Sequence, residues 1–198
     1  MKIKRIIIIL STLTLVISII ASIIIIIVTI MIIISIIALI ITMNVLKNKN
    51  KIDEAYNMIE QNNIQNTENK DLVLSDGTMG IIKIEKIGFE GLIQDGTDLK
   101  TLDNYVGHFK NSSIFDGNVA LAAHNNSKFW KNLNKLSNGD KIIYTCLLGS
   151  KTYEVFNIKI ISSDDWSLIQ NSNKNIITLI TCVHGKPSER LCVQGVEV

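Results

Sequence analysis

The chain has 198 residues, 47% of them hydrophobic and 19% charged, with three cysteines and a formal net charge of +2. That length holds one membrane segment and one domain with a core of the common size, roughly 100 to 150 residues, and excludes a multi-domain machine. Three of the 20 Lys and Arg precede residue 6 and all 18 Asp and Glu follow residue 43, so the bulk of the chain is close to neutral and lacks the basic excess of a nucleic-acid binder.

Residues 1–5 carry Lys2, Lys4 and Arg5, and from Ile6 to Met43 there is no charge. As a helix that run would be roughly 57 Å long at about 1.5 Å per residue, well beyond a hydrocarbon core of about 30 Å. Two shorter spans would need a turn, yet no Gly, Pro, Asn or Asp interrupts the run. The expectation is a single transmembrane anchor over 6–43. A cleaved signal peptide would have a far shorter apolar core, about 7 to 15 residues. The basic cluster before the run keeps 1–5 in the cytoplasm by the positive-inside rule and puts the C-terminal domain outside, against a competing signal from Lys47, Lys49 and Lys51.

Residues 44–75 form a linker rich in Asn, Lys and Glu. Within it Ile52, Ala55, Tyr56 and Ile59 recur at helical spacing for two turns, so the linker is either part helical or a solvated tether. Asn62 to Lys70 is expected to be loop.

Residues 76–198 have the texture of short strands. "GIIKIEKIG", "NVALAAH", "DKIIYTCLL", "KTYEVFNIKII", "NIITLITC" and "RLCVQGVEV" are apolar or alternating, with Gly, Asn, Asp or Ser between them. "SKFWKNLNKLSNGD" is the main helical or turn-like insertion. Short strands repeated over about 120 residues indicate an all-β sandwich or barrel.

Cys146, Cys182 and Cys192 are odd in number, so at least one thiol is unpaired. Cys146 lies in an apolar strand and reads as a small buried hydrophobe. Cys182 ends a strand, and a thiol at such a place is either another buried hydrophobe or a nucleophile. The second role needs a proton acceptor and a donor for the oxyanion. His124 ends "NVALAAH" on the face of Ala120 and Ala122, where it can look into a cleft. His108 in "YVGHFKNSS" reads as turn-like, and His184, two residues from Cys182, is a poor partner unless the chain turns there. Arg190 follows a connection of seven residues and comes back beside the thiol if the last two strands pair.

Taken together, "ALAAHN", "FWKNLNKLSNGDKIIYTCLLGSKTYEV" and "TLITC" followed by "RLCVQGVE" resemble the sortase family, the membrane-anchored cysteine transpeptidases of Gram-positive surfaces. The specific core is Thr-Leu-x-Thr-Cys at Thr178, Leu179, Thr181 and Cys182, with His124 upstream and Arg190 downstream in the family's order. The resemblance implies a closed eight-stranded β-barrel with short helices, over 76–198. It implies that Cys182 attacks the Thr carbonyl of a Leu-Pro-x-Thr-Gly-like sorting signal in a secreted protein, releasing the Gly side and leaving a thioester. An amine of a cell-wall precursor or a pilin lysine then resolves it.

In that scheme His124 moves the protons, as a histidine suits near neutrality. Arg190 holds substrate and oxyanion, and Thr181 is carried over as a helper near the oxyanion through its backbone or hydroxyl. Substrate-binding residues are not assigned, although Lys186 and Pro187 are candidates for contact. Cys192 shares a strand face with Arg190 and is near enough to raise the question of pairing with Cys182. No cofactor or metal is expected, because no zinc or nucleotide motif occurs; loop carboxylates Asp98, Asp103 and Asp116 are the calcium alternative. A hydrolytic cysteine protease and a non-catalytic membrane-anchored β-barrel binding module are the competing functions.

Overall fold

The computed structural model describes residues 2–65 and 72–198. They form two units, Met1–Asn50 and Lys51–Val198. The first element is helix α1, Lys2–Gln65, and no Gly or Pro occurs before Gly77 to break its hydrogen-bond ladder. The helix thus continues through Asn62–Gln65, where loop is expected; the rest of that expected loop, from Asn66, lies outside the described residues.

In the first unit the apolar side chains of α1 are exposed, Ile23 at 50% and Leu39 at 60% among them. Ser22 bonds back to the Ser18 carbonyl and Thr29 to that of Ile26. The hydroxyls are therefore satisfied within the helix, as a hydrocarbon environment demands. Among the described residues this is the one helix long and apolar enough to cross a membrane.

The second unit is a closed barrel. Its strands are β1 (Thr78–Ile84), β2 (Phe89–Asp95), β3 (Val106–His108), β4 (Asn118–Ala122), β5 (Lys141–Cys146), β6 (Gly149–Ser162), β7 (Ile176–Val183) and β8 (Lys186–Glu197). They are ordered β1-β2-β3-β4-β7-β8-β6-β5, with β5 closing on β1. The pairs β2–β3 and β4–β7 are parallel and the others antiparallel. A short helix α2, Leu99–Leu102, joins β2 to β3 and is capped by the Asp98 carboxylate on the Thr101 N–H. The expected barrel is thus observed, with eight strands and few helices.

The core is filled by Trp130, Tyr144, Tyr153, Ile82, Ile84, Leu133, Ile142 and Leu179, all essentially buried. Trp130 and Leu133 come from the insertion after β4, whose short 3-10 turn Leu133–Lys135 folds inward. β1 is apolar on successive residues at Ile81 and Ile82 because both of its faces are covered there, while Lys83 is part-exposed and pairs with Glu85. Ile82 and Ile84 point into the barrel, while Ile81 packs outside with Leu92 and Leu74 against Ile52, Ala55 and Ile59 of α1. Tyr56 adds a 2.8 Å hydrogen bond to Glu90. The helical spacing in the linker is therefore a buried stripe on the barrel, rather than part of a solvated tether.

Two local readings change, and one strand, β2, has no counterpart among the runs read as strands. β2, with Glu90, Gly91 and Gln94, has no clean alternation and is held by backbone pairing on both sides. The turn-like segment at His108 is strand β3, where His108 is 2% exposed, with Nδ1 3.1 Å from Asp95 Oδ1 and Nε2 bonded to Ser112 and Ser113. The seven-residue connection before Arg190 is mostly strand, since β7 turns into β8 through His184 and Gly185, whose φ of 73° suits glycine.

The packing of α1 on β1 makes Ile59→Ala a costly change. We expect a loss of about 2–5 kcal/mol, the usual range for truncating a buried isoleucine. Tryptophan fluorescence during denaturation of the detergent-solubilised chain measures it, because both Trp residues lie in the barrel unit; an unchanged midpoint would mean that the contact carries no stability.

Candidate active site

Cys182 reaches the surface at the end of β7. The strand before it, from Ile177 to Thr181, is buried on both sides, with Ile177 and Leu179 in the core. On the other side the Thr178 hydroxyl donates to Asn118 Oδ1 at 2.8 Å and accepts from Gln194 Nε2 at 3.1 Å. Asn118 Nδ2 in turn donates to the Leu168 and Gln170 carbonyls. Thr178 therefore anchors the segment between β6 and β7 to the barrel. Thr181 is 2% exposed and donates to the Ala123 carbonyl at 2.7 Å.

That last bond ties two strand ends together. β4 and β7 pair from Asn118↔Ile176 to Ala122↔Ile180, and the Ala123 N–H continues to the Ile180 carbonyl at 3.3 Å. In continuing register His124 falls beside Cys182. Asn125 then donates its side-chain amide to the Cys182 carbonyl at 2.8 Å. From the other side Arg190 of β8 is the direct register partner of Cys182.

The pairing slips just beyond that point, from Cys182↔Arg190 to Val183↔Lys186. The extra residues Pro187, Ser188 and Glu189 bulge out, and Arg190 Nη1 donates to the carbonyls of Pro187 at 2.8 Å and Glu189 at 2.9 Å. The bulge thus restrains the guanidinium on the strand next to Cys182. Lys186 is occupied by a 3.1 Å ion pair with Glu189.

Cys182, His124, Arg190 and Thr181 line one groove of about 260 Å³. Its walls are apolar, including Leu99, Phe109, Ala122, Ile161, Trp166 and Ile180. A second cavity of about 440 Å³ lies against the same thiol and imidazole and is polar, with Asp103, Asn125, Asn126 and His184. His184 thus sits near Cys182 because the chain does turn there. Asp103 Oδ1 is 3.6 Å from His124 Nε2. The sequence pattern gives no sign of that approach, because Asp103 is brought in by α2 from a distant part of the chain.

The three thiols differ in setting. None forms a disulfide; Cys182 is exposed, and Cys146 and Cys192 are buried. Burial pushes the Cys192 thiol up to about 12 and raises that of Cys146 as well. Cys192 stands opposite Ile180 and packs against Ile161 and Ile180, beneath the groove.

The three loop carboxylates do not converge. Asp98 caps α2, Asp116 pairs with Lys151 at 2.8 Å, and Asp103 faces His124. Among the described residues no group of three or more His, Cys, Asp or Glu side chains is arranged to hold a metal.

A sequence profile of the sortase domain matches residues 82–198. Over 106 residues the chain is 36% identical to Sortase D of Bacillus subtilis (strain 168), covering 52% of this chain and 53% of that one. It is 31% identical to Sortase A of Bacillus anthracis over 122 residues, 59% and 58% of the two chains. The matches span just over half the length of these curated relatives. The fold is similar to that of a Clostridium perfringens Sortase D5 transpeptidase, with a TM-score of 0.65 and 26% identity over 76% of this chain and 98% of that one. Sortase C1 from Streptococcus agalactiae superposes with a TM-score of 0.61 at 28% identity, covering 76% and 91%.

The environments of the thiols predict their reactivity. A raised thiol gives less thiolate at neutral pH, and thiolate is the reactive form. Iodoacetamide at pH 7 should therefore modify Cys182 alone in the folded chain, with Cys146 and Cys192 reacting only after denaturation. Peptide mapping reads the sites, and rapid labelling of Cys192 in the native state would contradict the burial described.

Proposed function

The chain belongs to the sortase family, and on that premise we propose that it is a cysteine transpeptidase with Cys182 as nucleophile, His124 as proton carrier and Arg190 as oxyanion donor. The observation that carries this reading is that these three side chains line one groove. The substrate is a secreted protein with a Leu-Pro-x-Thr-Gly-like sorting signal, whose apolar residues match the walls of that groove.

Cys182 attacks the Thr carbonyl, forming a C–S bond, and His124 protonates the departing Gly amine as the C–N bond breaks. The resulting thioester is resolved by an amine of a cell-wall precursor or a pilin lysine. Arginine has five N–H donors. Those of Nη1 go to the Pro187 and Glu189 carbonyls, which leaves Nη2 and Nε to face the oxyanion. The Thr181 hydroxyl is committed to Ala123, so its help is to align the ends of β4 and β7, while any donor at the oxyanion comes from backbone. Residues 6–43 anchor the chain in the membrane as a single pass, with 1–5 cytoplasmic, 44–75 as linker and 76–198 outside as the catalytic domain.

Incubation of the purified chain with sorting peptides, followed by mass spectrometry, tests the chemistry. Cys182→Ala should form no acyl adduct, while Cys192→Ala forms it normally. His124→Ala should fold and fail in turnover. Arg190→Lys keeps the charge but loses the planar fork, so its rate should fall by roughly 100- to 1000-fold, the equivalent of about 2.7–4 kcal/mol for a lost oxyanion donor. Acylation of Cys182→Ala, or normal turnover by Arg190→Ala, would remove that residue from the mechanism. Added amine diverting the acyl group from water separates transpeptidase from protease, and absence of any adduct favours a binding module.

For topology, protease applied to intact cells should digest the region beyond residue 47 and spare the first few residues. Protection of the barrel would reverse the orientation.

A further inference from the structure

Resting on that reading, we propose that Asp103 is the acceptor-recognition residue: its carboxylate seats the incoming primary ammonium in the polar cavity beside His124 and Cys182. Of the cavities that Cys182 lines, two also border His124, and these two are unlike. The groove with Arg190 is apolar and takes the acyl donor, whereas the cavity of about 440 Å³ on the other side is polar. Cys182 and His124 line both, as a thiol and base serving two successive substrates must.

Asp103 is the one carboxylate lining that cavity, and it stands 3.6 Å from His124 Nε2. Its main chain is fixed, with the N–H bonded to the Leu99 and Thr101 carbonyls and the carbonyl accepting from Lys128 Nζ. The same Lys128 ammonium stands 5.1 Å from the Phe129 ring centroid. The titratable groups that share a cavity with His124 are Asp103, Cys182 and His184 on the polar side and Asp165, Cys182 and Arg190 on the apolar side.

An amine acceptor is largely protonated at neutral pH and must lose that proton before it attacks. Asp103 holds the ammonium where its proton passes to His124. The freed nitrogen attacks the thioester carbon, the C–N bond forms and the C–S bond breaks with the electron pair staying on the Cys182 sulfur. The second N–H proton goes to that sulfur, so the products are the amide, the thiol and an imidazolium that releases its proton to water. A neutral nucleophile has no use for the carboxylate.

The test compares nucleophiles within one acyl-enzyme population, so that changes in acylation cancel. The full chain in detergent is given a sorting peptide with glycinamide, which is charged, or hydroxylamine, which is neutral, and the ratio of aminolysis to hydrolysis is measured. Asp103→Asn should lower the glycinamide ratio by about threefold to fivefold, the scale of a part-exposed ion pair, and leave the hydroxylamine ratio as it was. Asp103→Glu, which keeps the charge, should recover most of the glycinamide ratio. An unchanged glycinamide ratio, or an equal fall with hydroxylamine, would overturn the assignment; the latter would mean that Asp103 acts only through His124. Failure of the unsubstituted chain to acylate at all would instead bring down the transpeptidase reading, and the assignment with it.

Discussion

The buried hydrogen bond from the Thr181 hydroxyl to the Ala123 carbonyl joins the ends of two parallel strands that are remote in the chain. A buried carbonyl left without a partner costs roughly 1–3 kcal/mol, so the bond favours one register over its neighbours. A slip of one residue would turn every side chain of β7 to the opposite face. Cys182 would then point into the barrel and the thiol would meet neither His124 nor Arg190. The remaining features of the site assume this alignment, from the Asn125 amide on the Cys182 carbonyl to the cavities on either side.

The β7–β8 hairpin adds the charge. Antiparallel pairing sets Arg190 opposite Cys182, and the bulge of Pro187 to Glu189 turns two carbonyls onto the guanidinium. A long flexible side chain is thereby restrained before substrate arrives, which reduces the entropy lost on binding. Three neighbouring strands supply the three functional groups because both partners of β7, β4 on one side and β8 on the other, end or bulge at the level of Cys182.

Helix α1 illustrates how one secondary structure serves two solvents. Its first part exposes isoleucine and leucine on every side, which suits lipid; from Ile52 onward it carries an apolar stripe and is otherwise polar. The stripe covers Ile81 and Leu92, which would otherwise leave an apolar patch on the outside of the barrel.

The strand-rich texture, the charge-free run and the helical spacing of Ile52, Ala55 and Ile59 were legible because each is a periodicity within a few turns or residues, and local periodicity is set by burial. Thr178, Leu179, Thr181, Cys182 and Arg190 were legible through their resemblance to the sortase motif, and they lie on adjacent strands of one hairpin. β2 and β3 were not, because their side chains lack alternation and only neighbouring strands satisfy their backbones. His108 reads as turn-like and His124 as a strand end, yet it is His108 that lies in a strand, buried beside Asp95, while His124 faces a groove. The approach of Asp103 to His124 and the tether on Arg190 belong to tertiary structure alone. The sequence by itself determined a strand-rich domain, the apolar segment and a motif that resembles one family, whereas barrel closure and strand register decided which polar groups meet, because those contacts join residues that no local pattern connects.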